Sequence, residues 1–496
     1  MKNIILLLSA IGLLYLGACN KNDKFITDPE AKLSFSLDTL HFDTVFTEVG
    51  SATRSFRVYN KHNQPIRISK IYMEKGNTTF FRMNADGIPG NPIEDIDIWP
   101  NDSIHVFVET TIDPNQPLSV SPFVVEDKII FETNGNTQSV VVDAWGQNAN
   151  YLPSRFHKGV PTVYTCDEEW IWDSELPYVI YGEVFIDSCL LRIMEGTQIY
   201  VHGGVARNDL FGIFNDGILY FLEHGKLSIE GTLENPVVFQ GDRLEEVFAD
   251  EPAQWYGIIL GKKSKGHTID HAIIKNSAFG LYADSLSSVR VNNSQFHNTG
   301  GGGVIGFDSE INADNCLLYN NGADALQFIL GGNYTFRHCT IASYGGNAAA
   351  ISMGNFFCYK VGNENCGIRE NKPLKATLVN CIITGSKKDE VKLSDDFDRE
   401  NAAFFNVTLE NCIVRTDKLL TDNQGLYADF YETICSNCIQ DKKEGNLFKD
   451  REMDDYHLDT LSIATDKGKL IPDIPLDLDG NARVGDPDIG CYEYIE

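Results

Sequence analysis

Apolar and polar positions alternate along much of this chain, and a single asparagine or histidine breaks the alternation at regular intervals. In Glu310-Ile311-Asn312-Ala313-Asp314-Asn315-Cys316-Leu317-Leu318, Ile311 and Ala313 alternate with polar neighbours, Asn315 interrupts, and Cys316 and Leu318 resume. A period of two is that of a strand buried on one face. Asparagine tolerates the left-handed backbone that a tight corner between strands requires. The phrase recurs as His271-Ala272-Ile273-Ile274, Asn293-Ser294-Gln295-Phe296, His338-Cys339-Thr340-Ile341, Asn380-Cys381-Ile382-Ile383, Asn411-Cys412-Ile413-Val414 and Asn437-Cys438-Ile439. Second positions are separated by 22, 22 and 23 residues, then by 42, 31 and 26, as coils with insertions would be. A further strand follows a variable loop in each coil: Gly280-Leu281-Tyr282-Ala283, Gly303-Val304-Ile305-Gly306 and Ala325-Leu326-Gln327-Phe328. The pattern predicts an all-β solenoid of three short parallel strands per turn, each coil burying its apolar face against its neighbours. The fixed leucines of leucine-rich repeats are missing from it.

Stacked coils place equivalent residues about 4.8 Å apart. Asn293, Asn315, Asn380, Asn411 and Asn437, with His271 and His338, then form a ladder of polar side chains at one corner. Cys316, Cys339, Cys381, Cys412 and Cys438 form an inward column beside it. Small polarizable thiols fill a narrow core well. They all point the same way, whereas zinc needs ligands that converge, so no metal is expected. Parallel Cβ vectors also disfavour disulfides between rungs. Cys166 with Cys189, and Cys358 with Cys366, are two pairs that an oxidising compartment would allow.

The remaining segments differ in pattern. Residues 1–18 have a basic Lys2, an apolar run from Ile4 to Leu16 that is short for a membrane span, and the ending Leu16-Gly17-Ala18-Cys19. That ending resembles the lipobox of bacterial lipoproteins, which implies cleavage before Cys19, lipidation of its sulfur and stable anchoring by several acyl chains. Residues 19–32 then read as a lipidated tether. From 33 to 148 the coil phrase is absent. Ser55–Asn60, Ile66–Ser69, Ile104–Val108 and Ser139–Val142 are alternating runs separated by turn clusters such as Asn84-Ala85-Asp86-Gly87 and Asn134-Gly135-Asn136. Short strands spaced by such turns predict an Ig-like β-sandwich, and Asp113-Pro114 with Asn134-Gly135-Asn136 resembles modules found beside bacterial surface domains. Residues 149–164, with Pro153 and Pro161, read as a linker, 165–455 as the solenoid and 456–496 as a closing segment.

Within the solenoid, Glu195-Gly196-Thr197, Gly231-Thr232-Leu233, Asn235-Pro236-Val237-Val238-Phe239 and Trp255-Tyr256-Gly257-Ile258 follow closely. With these phrases the chain resembles the right-handed parallel β-helix, or pectin-lyase-like, proteins of bacterial envelopes over roughly residues 165–496. Asp477-Leu478-Asp479-Gly480-Asn481-Ala482-Arg483 and Asp488-Ile489-Gly490-Cys491-Tyr492-Glu493 resemble the closing segment of many such proteins. The resemblance implies a fold that hosts lyases, hydrolases, epimerases, esterases and non-catalytic adhesins, so it does not choose an activity.

In many enzymes of that group the chemistry lies on the outward face of the strand after the variable loop. Counting alternation against Leu281, Val304, Leu326 and Ile351, the outward positions here are Tyr282, Asp284, Ile305, Phe307, Gln327, Ile329, Ser352 and Lys392. A calcium cage needs several carboxylates, and hydrolysis needs two at defined separation. One aspartate among amides and apolar residues supplies neither. Tyr282, Phe307 and Gln327, with Asp284, Asp308 and Asp324 at loop edges and His297 nearby, suit stacking and hydrogen bonding to a neutral glycan or a protein. Alternatively, Tyr282 and Phe307 support a covering loop around Phe356-Phe357. Trp255 reads as a coil-forming residue and not as a sugar platform.

The formal charge of −29 disfavours nucleic acid and anionic lipid surfaces as partners and makes a polyanionic glycan an awkward one. No cofactor is expected. Two readings stand: a non-catalytic lipoprotein of the cell envelope, outer membrane or cell surface, whose solenoid binds glycan or protein, and a polysaccharide lyase or glycoside hydrolase.

Overall fold

The computed structural model describes residues 24–46, 51, 53–111, 123–152, 162–208, 212–215, 217–361, 366–442 and 447–495. Cys19, the residues 1–18 expected to be a leader, and Asp113-Pro114 lie outside these. The chain divides into two compact units, 1–148 and 149–496.

The first unit is a β-sandwich of two five-stranded sheets. One contains Ser34–Phe35, Arg54–Tyr59, Ser103–Thr110, Phe81–Ala85 and Ile88–Pro89; the other contains Thr39–Phe46, Asn136–Gln147, Phe123–Thr133, Ile66–Met73 and Ile93–Ile98. The predicted alternation decides what is buried: Val106, Val108, Val140 and Val142 face a core with Phe56, Ile66, Ile68 and Phe131. Asn134 and Gly135 have φ of 49° and 78°. They form the two-residue turn joining Phe123–Thr133 to Asn136–Gln147.

The second unit is the predicted solenoid. One sheet of eleven parallel strands runs from Asn150–Leu152 to Ile439–Gln440; a second of seventeen strands carries the other two sides of each coil. The pairings Glu183–Ile186, Ile218–Phe221, Gly257–Leu260, Leu281–Ala283 and Val304–Asp314 follow one side coil by coil. Inward residues such as Val184, Leu219, Ile258, Leu281 and Val304 build one continuous core. Two strands fall within the stretch expected to be a linker: Asn150–Leu152 pairs with Tyr178–Tyr181, and Thr162–Tyr164 with Glu183–Ile186. Their alternation was too short to read as coil strands, yet pairing with the next coil suffices to hold them.

Every predicted corner residue adopts the left-handed backbone: His271, Asn293, Asn315, His338, Asn380, Asn411 and Asn437 have φ between 47° and 55°. Asn315 Nδ2 donates to Asn293 Oδ1 at 3.1 Å, and Asn380 Nδ2 to His338 Nε2 at 2.8 Å. Cys316, Cys339, Cys381 and Cys412 are free, buried thiols beside this ladder. Cys438 is not part of that column: it forms a disulfide with Cys435, whose Cα lies 5.6 Å away within the same tight corner. Cys166 and Cys189 are joined by a disulfide between successive coils. Cys358 is disulfide-bonded, and the side chain of Cys366 lies outside those described.

The closing segment lies along the outside of the eleven-stranded sheet and begins earlier than expected, with the hairpin Phe448–Asp450 and Asp455–Leu458. Its Phe448, Tyr456, Leu458, Leu478, Ile489 and Cys491 pack on the outward residues Leu317, Tyr319, Ala342, Ile382 and Ile413. The polar ladder ties it down. Asn315 Nδ2 donates to the Leu476 carbonyl at 2.8 Å, Asn380 Nδ2 to that of Lys469 at 2.7 Å and Asn411 Nδ2 to that of Lys467 at 3.1 Å. Arg483, buried, donates to Asn315 Oδ1 and the Gly490 carbonyl, both at 3.0 Å.

Candidate functional site

The outward residues on the side after the variable loop form a stripe through consecutive coils. The parallel register sets Phe185 beside Tyr220, Tyr220 beside Ile259, Ile259 beside Tyr282, and Tyr282 beside Ile305. Phe185 and Tyr220 stack with ring centroids 5.2 Å apart. Tyr220, Tyr256, Phe279 and Tyr282 pack around the buried Ile218 and Ile259, and each ring remains partly exposed. Two glycines make room for the rings. A Cβ at Gly261 would fall 2.6 Å from the Tyr220 ring, and one at Gly257, where φ is +145°, 2.6 Å from the Phe279 ring. The Trp255-Tyr256-Gly257-Ile258 phrase thus has a local reason. Trp255 itself is fully buried and donates Nε1–H to the Lys275 carbonyl at 2.9 Å, a coil-forming role.

Two carboxylates stand at the edge of the stripe. The Ser285 backbone N–H donates to Asp284 Oδ1 at 2.6 Å and its hydroxyl to Asp308 Oδ2 at 2.7 Å, so one serine links the pair. Asp308 sits at φ +47°, where the long strand Val304–Asp314 shifts register and turns. Burial raises the Asp284 carboxyl above its ordinary pKa, and Asp308 adds to the rise, while Lys262 opposes it. Burial likewise raises Tyr282, with Asp284 the next cause. The hairpin Phe356–Val361 and Cys366–Asn371 brings Tyr359 into the field of both aspartates, its hydroxyl donating to Glu370 at 3.1 Å.

Of the seven candidates, Tyr282, Asp284 and Asp308 come together. The other four have different surroundings. Phe307 contacts Phe357 edge-on at 5.2 Å, so it supports the inserted hairpin, the alternative that the sequence left open. Asp324 is held by Lys392 Nζ at 2.6 Å and accepts the Ala349 N–H at 2.8 Å, a tie between coils that no short-range pattern reveals. Gln327 donates to the Asp324 carbonyl at 2.9 Å. His297 belongs to the eleven-stranded sheet, where it stacks on Tyr319 at 4.5 Å. It is buried there, which lowers its pKa to about 3, and Lys275 adds to the effect. Among the described residues, no group of three or more His, Cys, Asp or Glu side chains is placed to hold a metal ion.

Sequence reasoning missed Phe185 and Tyr220, whose coils lie before the regular repeat. It also missed a second ladder. Asn276, Asn298 and Asn320 recur at 22 residues, all with φ between 50° and 61°. Asn276 Nδ2 donates to the Ala249 and Glu251 carbonyls, Asn298 Nδ2 to Asp250 and Asn320 Nδ2 to Asp454. Their common spacing was the available signal.

No curated protein matches this chain. A solved structure of a protein of unknown function from Porphyromonas gingivalis W83 is similar at 13% identity, covering 23% of this chain and 46% of that one, with a TM-score of 0.17. A family 123 glycoside hydrolase from Clostridium perfringens, described in terms of glycolipid glycan hydrolysis, gives 11% identity over 29% of this chain and 30% of that one, with a TM-score of 0.18. The chain thus spans less than half the length of either. The catalytic unit of a GH87 alpha-1,3-glucanase from Streptomyces thermodiastaticus strain HF3-3 is similar at 12% identity over 72% and 73% of the two chains, with a TM-score of 0.26. None of these likenesses bears on what this chain binds or cuts. Residues 251–373 match the family described as the right handed beta helix region, and the solenoid is a right-handed parallel β-helix.

Proposed function

We propose that this protein is a lipid-anchored envelope lipoprotein whose β-helix holds a neutral polysaccharide along its open face. The observation that carries the reading is the stripe Phe185, Tyr220, Ile259 and Tyr282, one residue per coil, ending at the linked carboxylates Asp284 and Asp308. Partly exposed rings offer apolar faces to the C–H side of sugar rings, and carboxylates accept from hydroxyls. The acidic edge and the overall charge of −29 disfavour a polyanionic chain. Anchoring rests on the resemblance of Leu16-Gly17-Ala18-Cys19 to a lipobox. The sandwich serves as a spacer.

One observation favours a catalytic reading. Asp284 and Asp308 are a carboxylate pair in which one member is partly desolvated and has a raised pKa. Glycoside hydrolysis uses such an asymmetric pair, one carboxyl protonated and one ionised. Affinity electrophoresis of the full chain through gels containing neutral and acidic polysaccharides, followed by assay of each for new reducing ends and unsaturated products, separates the readings. Retardation by a neutral glycan without products supports the binder. Products that vanish in Asp284→Asn support the hydrolase. Retardation by acidic glycans alone contradicts both.

A further inference from the structure

The chain enters the sandwich at one end, and that end is closely tied. The Ile26 N–H donates to the Pro65 carbonyl at 2.9 Å, Gln64 Nε2 to the Lys24 carbonyl at 3.4 Å and Asn134 Nδ2 to the Ala31 carbonyl at 3.3 Å. The loop 60–65 that receives the entering chain also holds the turn Trp99-Pro100-Asn101-Asp102. Asn60, buried, donates through Nδ2 to the carbonyls of Gln64, Ile98 and Trp99 at 2.8, 3.0 and 3.1 Å. Asn101, at φ 55°, donates its N–H to the His62 carbonyl and its Nδ2 to Asn63 Oδ1, both at 3.1 Å. The turn is thereby fixed, yet Trp99 at its start is 51% exposed.

A single exposed ring needs no explanation by itself. The place of this one, beside the entering chain, supplies one. Lys24 follows Cys19 by five residues, which span at most about 18 Å when fully extended. A bilayer that holds the acyl chains of Cys19 therefore lies within that distance of Lys24, and Trp99 and Lys24 flank the same loop. Charge at this end is balanced: exposed Lys24, Lys32 and Lys61 are matched by exposed Asp28, Glu30 and Asp102, although the whole chain carries −29. A balanced surface fits neutral, zwitterionic headgroups. Indole rings favour that layer, with an apolar body and a polar N–H. Because the anchor makes the contact intramolecular, a weak one suffices. Trp145 is also 51% exposed but lies toward the other end of the sandwich. It is nine residues along the strand Asn136–Gln147 from its first residue, about 30 Å at the rise of a strand.

We propose that the entry end of the sandwich rests on the bilayer, with Trp99 seated among the headgroups of neutral phospholipid. The proposal rests on the lipid anchoring proposed above. The lipidated full chain is reconstituted into phosphatidylcholine vesicles with and without brominated acyl chains, and flotation and tryptophan fluorescence are read together for the unaltered chain, Trp99→Phe and Trp145→Phe. Both substituted positions are exposed, and both variants keep a ring. The unaltered chain should float and be quenched by the brominated lipid; Trp99→Phe should float but lose most of the quenching, and Trp145→Phe should keep it. A chain that does not float overturns the anchor and the docking with it. A chain that floats and is quenched as strongly after Trp99→Phe overturns the docking alone. Glycan retention in affinity electrophoresis that falls in Trp99→Phe would give the ring to a sugar and also overturns the docking.

Discussion

Two outer faces of one solenoid are finished differently. On the eleven-stranded sheet, outward Leu317, Ala342, Ile382 and Ile413 lie under the chain's own closing segment. On the side after the variable loop, outward Phe185, Tyr220, Ile259 and Tyr282 give way to Ile305, Gln327, Ser352 and Lys392, and the rings stay partly exposed. The inward residues of both faces are alike, so packing does not explain the difference. A face that is apolar and sealed is architecture. A face lined with rings, edged with acids and left open by the closing segment is the one on which the proposed glycan would lie.

Substitutions can break this contrast. Ile382 is fully buried under the closing segment, so Ile382→Ala is expected to cost about 4 kcal/mol of stability. The control Ile305→Ala, on the open face, costs less than about 1 kcal/mol. Urea unfolding of both variants checks the pair, and equal losses would mean that the closing segment seals nothing. Next in size is the ladder. Asn380 sits at φ 55°, donates to the Lys469 carbonyl at 2.7 Å and accepts its N–H at 2.8 Å. Asn380→Ala loses both bonds and strains the corner, for about 3 kcal/mol, and should expose the closing segment to limited proteolysis.

The coil repeat and its corners were legible because a corner must recur wherever a strand ends, and asparagine supplies the left-handed backbone at each. The inward thiols followed from the same alternation. The sealed face was less legible, although a signal existed: in Cys381-Ile382-Ile383 and Cys412-Ile413-Val414 the apolar run is continuous, as in strands buried on both sides. The site was the least legible. Asp324 meets Lys392 and Phe307 meets Phe357 through insertions whose length sets the contact, and no periodicity encodes that. His297 was placed near Tyr282 by sequence distance, whereas the coil puts them on different sheets.

That misplacement yields a sharper test. His297 is neutral in the folded chain, with its pKa lowered to about 3 by burial, against an ordinary 6.5. Protonation therefore favours the unfolded chain, and the stability that neutral His297 provides above pH 6.5 is lost as pH falls from 6.5 toward 3. His297→Phe keeps a ring on Tyr319 and removes the proton. Its unfolding free energy should fall less on acidification, by about 1.4 kcal/mol per pH unit, or about 2 kcal/mol between pH 6.5 and pH 5. Urea unfolding across that range reads the slope, and an unchanged slope would place His297 in contact with solvent. Glycan retention should be unaffected, since the residue lies on the other sheet.

The smallest free-energy change carries the central claim. Tyr220→Ala and Tyr282→Ala are compared with the unaltered chain and with His297→Phe by affinity electrophoresis through the neutral polysaccharide that retards the protein most. Each tyrosine variant should lose about 1 kcal/mol of binding, roughly a fivefold weaker retardation constant. Because both rings also pack on Ile218 and Ile259, a lowered unfolding midpoint is expected too, and retardation is compared at a temperature where every variant is folded. His297→Phe should run as the unaltered chain does. If both tyrosine variants are retarded as strongly as the unaltered chain, or if no polysaccharide retards it at all, the open face is not where this protein holds a glycan.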